Sequence, residues 1–147
     1  MKGGEGVASA QSSLEAIAFG SVAVTTRALA TVGLDLTFAQ WRVLVIVGED
    51  PGGATITEIA SRLGGEISPV SRLVSRLGRR GFVAVRKDAR DRRATRVTVT
   101  DAGRGVREAV LEDRRRQLAL VLADVGPIAP EVEVALERIG TAFRRYT

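Results

Sequence analysis

A change of hydrophobic period in the middle of the chain is the feature that most limits its possible folds. Residues 82–86 (FVAVR) and 95–100 (TRVTVT) alternate β-branched and other residues, which predicts the two strands of a hairpin. The charged stretch between them is predicted to form a long hairpin tip. On both sides of this hairpin, apolar residues recur at helical spacing. We therefore predict a mainly α-helical protein with one small β-hairpin.

Two short segments before the hairpin carry the start and stop signals of helices. Thr37 with Gln40, and Thr55 with Glu58, match the capping-box pattern in which a threonine is followed three residues later by Gln or Glu. Each segment is followed by a pair of glycines, which favour a helix end. Two short helices are therefore predicted at 37–50 and 55–63.

A third helix is predicted directly before the hairpin. We place Ser68 as its N-cap, Pro69 at its first helical position and Gly81 just after its end. Two helices joined by a tight turn and followed by a hairpin form a winged helix-turn-helix, which we assign to residues 35–100.

The winged domain is flanked by predicted helices on both sides. One is expected at 11–34 after a disordered, glycine-rich tail at 1–10, and two more at 101–147. The last carries Val132, Leu136, Ile139 and Phe143 on one stripe. The flanking helices have more apolar surface than a small winged domain could cover, so we predict that they form a homodimer.

The residue types that are missing exclude several classes of function. The chain has 147 residues and contains neither cysteine nor histidine. A disulfide framework, a thiolate zinc site and a thiol redox switch are excluded, and the commonest general base is absent. No catalytic motif is found, so we expect no enzyme, no cofactor and no metal. No apolar run approaches the ~20 residues of a membrane span, so we expect a cytoplasmic protein without membrane contact.

The positive charge is concentrated in one segment. Between Arg62 and Arg96 there are eleven Lys or Arg and three Asp or Glu, a formal charge of +8, whereas the rest of the chain carries −3. A local field of this kind attracts a polyanion. The candidate partner is double-stranded DNA. The alternatives are a solvated, salt-bridged turn, a non-specific nucleic-acid binder and a basic membrane-binding surface.

The candidate DNA-binding residues lie in the third helix and in the hairpin tip. The second helix of a helix-turn-helix enters the major groove with its N-terminal turns, where arginine bonds bidentately to guanine. Arginines of a hairpin tip suit the narrow minor groove. We expect Asp88 and Asp91 to orient the guanidinium groups around them. The candidates are Ser68, Pro69, Ser71, Arg72, Ser75 and Arg76 in the helix, and Arg90, Asp91, Arg92 and Arg93 in the tip.

These motifs, in this order, resemble the MarR family of bacterial transcriptional regulators. The segments that carry the resemblance are LTFAQWRVL, TITEIASRLG, SPVSRLVSRLGRRGFV and DARDRRATRVTVTDAGR, between about residues 34 and 106. The resemblance implies a homodimer of winged helix-turn-helix lobes that binds a palindromic operator, in many cases as a repressor. By position, Arg72 corresponds to the recognition-helix arginine. Asp91, Arg92 and Arg93 correspond to the wing tip, where either arginine could enter the minor groove.

The resemblance also implies a pocket for a small aromatic or phenolic effector. In the family this pocket lies between the dimerisation helices and the winged lobe. Here the corresponding residues are Trp41 and Arg42, an aromatic ring beside a guanidinium group. The alternative is that Trp41 belongs to the core and Arg42 to a solvated or salt-bridged surface.

Overall fold

The computed structural model describes the backbone of residues 2–146 and the side chains of residues 6–145. This part of the chain forms six helices and one antiparallel sheet with strand order β1-β3-β2. The predicted mainly helical fold with a small hairpin is confirmed. The elements are α1 (Lys2–Thr31), α2 (Phe38–Val47), β1 (Ala54–Thr55), α3 (Ile56–Leu63), α4 (Ile67–Arg79), β2 (Val83–Lys87), β3 (Thr95–Val99), α5 (Asp101–Val125) and α6 (Pro130–Tyr146).

One aliphatic core joins the winged elements to α5. Leu44 of α2, Ile59 of α3, Leu77 of α4, Val97 of β3 and Val110 of α5 are each completely buried. Burying a side chain of this size stabilises a fold by about 1.5–3 kcal/mol. The core therefore fixes the orientation of α4 and of the hairpin relative to the rest of the chain.

The hairpin forms as predicted, and a third strand extends its sheet. In the β2–β3 pair, Val85 lies opposite Val97. β1 pairs Ala54 with Val97 and Thr55 with Arg96. The sequence did not predict β1, because two residues are too few to show an alternating pattern.

Both predicted capping boxes are present. The backbone N–H of Gln40 donates to the Thr37 hydroxyl over 3.2 Å, and the Gln40 side chain accepts from the Thr37 N–H. Thr55 and Glu58 repeat the arrangement at the start of α3. These side chains satisfy N–H groups that have no partner within the helix.

The predicted start of α4 was wrong by two residues. The helix begins at Ile67 with Glu66 as N-cap, and Glu66 makes no side-chain capping bond. Ser68 is therefore inside the first turn, and Pro69 is the third helical residue instead of the first. A proline fits there because the first N–H groups of a helix have no intrahelical acceptor. The predicted end is confirmed, since Gly81 follows the C-cap with φ +74°.

The N-terminal helix is longer than the sequence predicted. α1 begins at Lys2, within the segment 1–10 that was expected to be a disordered tail. Met1 lies outside the described residues. The prediction relied on the glycines near the terminus, each of which costs a helix about 1 kcal/mol. Extending an existing helix is much easier than nucleating one, so a long helix tolerates them.

The chain has no uninterrupted apolar run of about 20 residues, but one helix has the length and the mean composition of a membrane span. Within α1, Gly6–Thr31 is long enough for a membrane span and contains an 18-residue window that is apolar enough for one, at a mean hydropathy of 1.2; 6% of that window is buried. Core helices of soluble proteins and signal sequences meet the same two criteria. The prediction counted uninterrupted apolar residues, whereas Ser, Thr and Gly lower mean hydropathy only slightly.

The flanking helices leave apolar side chains exposed. α1 packs against α5 through its second half, where Arg27 Nε donates to Gln117 and Gln117 donates to the buried Asp113. Among residues 130–145 of α6, no side chain is buried. The side chains of the predicted apolar stripe are each 38–47% exposed. The stripe comprises Val132, Leu136, Ile139 and Phe143.

Candidate nucleic-acid interface

Helix α4 has one face in the core and the opposite face in solvent. Val70, Val74 and Leu77 are buried at spacings of four and three residues. The predicted DNA-binding side chains of α4 lie away from this face. Ser68, Pro69, Arg72, Ser75 and Arg76 are exposed, and Ser71 is partly buried.

Arg72 is positioned by a neighbour one turn earlier in the helix. Its Nη1 donates to the Ser68 hydroxyl over 3.1 Å. Within the described residues, neither Arg72 nor Arg76 forms an ion pair. Both guanidinium groups therefore keep most of their donors for an external acceptor.

The β2–β3 connection, here called the wing (residues 88–94), is built around a buried carboxylate. Asp88 is 4% exposed and accepts the backbone N–H groups of Arg90, over 2.8 Å, and of Asp91, over 3.0 Å. It also pairs with the Arg96 guanidinium, which in turn donates to the Gly53 carbonyl over 3.1 Å. Arg96 therefore connects the wing to the segment before β1.

Gly53 makes this connection possible. Its φ is +70°, and a Cβ atom there would lie 1.9 Å from the carbonyl oxygen of Val97. Only glycine adopts this conformation without strain and lets the two backbones approach so closely. The Gly53 carbonyl is thereby placed within reach of Arg96.

The predicted hydrogen-bond partners of Asp88 and Asp91 were wrong. We expected Asp88 and Asp91 to hold the guanidinium groups of their neighbours. Asp88 instead binds backbone N–H groups and Arg96, and Asp91 Oδ1 accepts the backbone N–H of Arg93 over 2.9 Å. Aspartate in a tight turn commonly bonds to the backbone a few residues onward, and this local preference accounts for the contacts of Asp88 and Asp91. The acids shape the backbone of the wing and leave its arginine side chains exposed.

The contacts of Asp88 stabilise its ionised form. The backbone N–H of Asp91, the Arg96 guanidinium and the backbone N–H of Arg90 together lower the pKa of Asp88 to about 2. Each donor binds the carboxylate more strongly than the protonated acid. The carboxylate is therefore fully ionised at neutral pH.

We expect Asp88→Asn to lower the free energy of unfolding at pH 7. The free energy of unfolding should also change less between neutral and acidic pH than it does in the wild type. Because the folded-state pKa is below the ordinary value of 3.8, the carboxylate stabilises the fold above that pH. This contribution is lost as the pH falls toward about 2. Denaturant unfolding between about pH 7 and about pH 2 measures it.

Asp124→Asn is the matched control, since it removes the same charge from an exposed position on α5. It is expected to follow the wild-type curve. An Asp88→Asn curve parallel to that of the wild type would contradict the assignment of Asp88.

The cavity between the winged elements and the long helices contains both predicted ligand-binding residues. Its volume is about 660 Å³, and Trp41 and Arg42 line it. Trp41 is 3% exposed, so it belongs to the core and to the cavity wall at once. Arg42 Nη2 donates to the Arg62 carbonyl over 3.2 Å, and Arg62 pairs with Glu49 over 2.6 Å.

Sequence reasoning missed three arginines of this cavity. Arg62 of α3, Arg114 of α5 and Arg144 of α6 also line it. Arg114 Nε is buried without a hydrogen-bond partner, and burial lowers the pKa of Arg114. No sequence signal could have grouped these residues, because they are up to 102 positions apart from Arg42 and meet only in the folded chain. In the part of the chain described, no cluster of acidic side chains suits a metal ion.

Comparisons with known proteins match this architecture. The MarR family model matches residues 34–94. A transcriptional repressor from Pseudomonas putida, IacR, is 33% identical over 70 residues, which are 48% of this chain and 41% of that protein. The transcriptional activatory protein BadR from Rhodopseudomonas palustris is 36% identical over 93 residues, 62% of this chain and 52% of that protein. The chain thus spans about half the length of these relatives.

A solved structure extends the similarity beyond the matched segment. A MarR family protein from Bacillus stearothermophilus superimposes with a TM-score of 0.78 at 25% identity, over 97% of this chain and 95% of that one. The likeness therefore includes the flanking helices as well as the winged elements. By the matched segment, the two relatives and this fold, the chain is similar to proteins of the MarR family.

Proposed function

We propose that this chain is a homodimeric transcriptional regulator that binds a palindromic operator in double-stranded DNA. One observation carries the proposal: α4 exposes a face of serines and unpaired arginines beside a wing whose arginines are also exposed. The DNA phosphates neutralise the positive charge of such a surface. The α4 side chains distinguish one sequence from another by their contacts with base edges.

In the proposed complex, α4 lies in the major groove. Arg72 bonds bidentately to a guanine, and its contact with Ser68 limits the orientations that the guanidinium samples. Arg76 and the hydroxyls of Ser71 and Ser75 bind phosphates or neighbouring bases. The buried side of α4 sets the depth at which these groups enter the groove.

The wing is proposed to lie in the adjacent minor groove. Arg90, Arg92 and Arg93 are exposed, and the backbone that carries them is held by Asp88 and Asp91. A narrow minor groove concentrates negative potential and attracts arginine side chains without requiring a particular base order. The wing therefore contributes affinity, whereas α4 contributes most of the sequence preference.

The flanking helices are proposed to form the dimer. Exposed apolar residues on α1, α5 and α6 include Phe19, Leu120 and Leu136, at 78%, 72% and 44% exposure. A second copy of the chain would cover them, and its two-fold axis would place the two α4 helices on half-sites about one helical turn apart.

We further propose that the protein is cytoplasmic, represses transcription and is released from DNA by a small aromatic anion. Trp41 supplies an aromatic wall of the cavity, and Arg42 supplies a cation. The cavity volume of about 660 Å³ is in the range of small-molecule sites. The cavity adjoins both the winged elements and the long helices, so a ligand there contacts both parts.

Replacing Arg72 by Ala should reduce discrimination between the operator and a variant operator at one base position by about 1–3 kcal/mol. Fluorescence anisotropy with DNA from upstream of the protein's own gene, beside a scrambled duplex, measures it. Arg115→Ala, which removes an exposed arginine of α5, should leave discrimination unchanged. Equal wild-type affinity for both duplexes would indicate a non-specific nucleic-acid binder instead.

Replacing Arg92 and Arg93 together by Ala should weaken binding to every duplex and reduce its salt dependence. Each lost phosphate contact lowers the slope of log affinity against log salt by about 0.9. Titrations at about 50 and 200 mM salt measure the slope. The double variant Arg115→Ala/Arg116→Ala is the control, and a wing variant with wild-type affinity would refute the minor-groove assignment.

Replacing Leu136 or Ile139 by Asp should give folded monomers that bind the operator weakly. A charge on the proposed interface is costly to bury, and a monomer contacts only one half-site. Light scattering after size exclusion measures the mass, and circular dichroism measures the fold. Glu133→Asp on the same helix is the control. A folded monomer that binds as tightly as the wild type would refute the dimer.

A further inference from the structure

We infer that the cavity selects ligands with two separated anionic groups, and that the group bound by Arg42 and Arg62 displaces Glu49 from Arg62. This inference rests on the proposed effector site and specifies its ligand class and its connection to α4.

The charges of the cavity are strongly unbalanced. Its lining includes four arginines and one acid, Glu49. Glu49 is already paired with Arg62 over 2.6 Å. Within the described residues, the three other guanidinium groups form no ion pair. Arg42, Arg62 and Arg114 are half-buried and Arg144 is exposed, so an anion in this cavity meets cations that are partly shielded from water and gains more than it would at a fully solvated surface.

The four arginines come from two different parts of the fold. Arg42 and Arg62 belong to the winged elements α2 and α3, whereas Arg114 and Arg144 belong to the long helices α5 and α6. Apolar side chains line the same cavity, among them Val22, Phe38, Trp41, Val45 and Ile46. A ligand with one anionic group can bind one pair of arginines. An apolar ligand with an anion at each end can bind both pairs.

Arg114 is the member whose bonding is least complete. Its Nε is buried without a partner, and its Nη2 lies 3.4 Å from the Ser21 hydroxyl, a long contact. Buried donors are nearly always paired in native proteins, because leaving one unpaired loses its hydration without replacement. A carboxylate accepts two N–H bonds from one guanidinium group and would satisfy Nε together with an Nη.

The other pair connects the cavity to α4. Arg42 donates to the carbonyl of Arg62, which belongs to the last turn of α3. Only the short 64–66 segment separates this turn from α4. An anion bound by Arg42 and Arg62 competes with Glu49 and with the Arg62 carbonyl for the same donors. Ligand binding therefore changes the contacts that hold the end of α3, directly before the segment that leads into α4.

The test compares benzoate with isophthalate and terephthalate, which add a second carboxylate to the same ring. Titration calorimetry on the full chain, without DNA, should give at least about tenfold tighter binding for the better dicarboxylate. Arg114→Gln and Arg62→Gln should each reduce dicarboxylate affinity to the level of benzoate. Arg115→Gln, outside the cavity, should leave it unchanged.

The variant Glu49→Gln distinguishes a role of Glu49 in ligand competition from a purely structural role. It removes the competitor for Arg62, so dicarboxylate binding should become tighter than in the wild type. Thermal unfolding checks that each variant is folded. Equal affinity for benzoate and both dicarboxylates, no binding of any of them, or weaker binding by folded Glu49→Gln would overturn the inference.

Operator binding separates this inference from the proposed function. The dicarboxylate that binds should lower DNA affinity of the wild type. Normal DNA binding without dicarboxylate selectivity would refute only the ligand class. Dicarboxylate binding without any operator would refute only the DNA-binding proposal, and binding that leaves DNA affinity unchanged would refute the connection to α4.

Discussion

The aliphatic core shared by α2, α3, α4, β3 and α5 is the constraint on which the rest of the structure depends. Its members are completely buried, and they come from elements spread over more than half of the chain. Because interiors are closely packed, this core fixes α4 in one orientation. The exposed face of α4 is a consequence of it, since the side chains on the opposite side of this helix are left on the outer surface.

Charge is used in two different ways around this core. Some arginines hold the fold together: Arg96 joins the wing to Gly53, Arg80 donates to the Asp35 carbonyl and stacks on Phe82, and Arg42 reaches the end of α3. Others, such as Arg72, form no ion pair with any residue that the structure describes and remain available. Two acids of the basic segment, Asp88 and Asp91, accept backbone N–H groups and shape the wing. The local excess of positive charge thus has both a structural part and a binding part.

The cavity lies where these two uses of charge meet. It is bounded by the winged elements on one side and by α1, α5 and α6 on the other. These three helices also expose apolar side chains. Proposed DNA binding, dimer formation and effector binding therefore depend on neighbouring surfaces of one small molecule.

The sequence by itself determined the helix order, both capping boxes and the hairpin. These features depend on residues a few positions apart, whose pattern is visible in the chain. The predicted DNA-binding residues of α4 and the wing remain exposed in the structure, as that proposal requires, although their contacts with DNA stay a prediction.

Only the tertiary structure decided the short strand β1, the partners of Asp88, the start of α4 and the grouping of four arginines around the cavity. Arg42 and Arg144 are about a hundred positions apart, and Asp88 has several arginines within reach along the chain. Which of them it binds depends on where the folded backbone places Arg96 and Gly53. The sequence gives the number of charged side chains and the face of a helix or strand on which each lies. The distances between these side chains are set by how the elements pack.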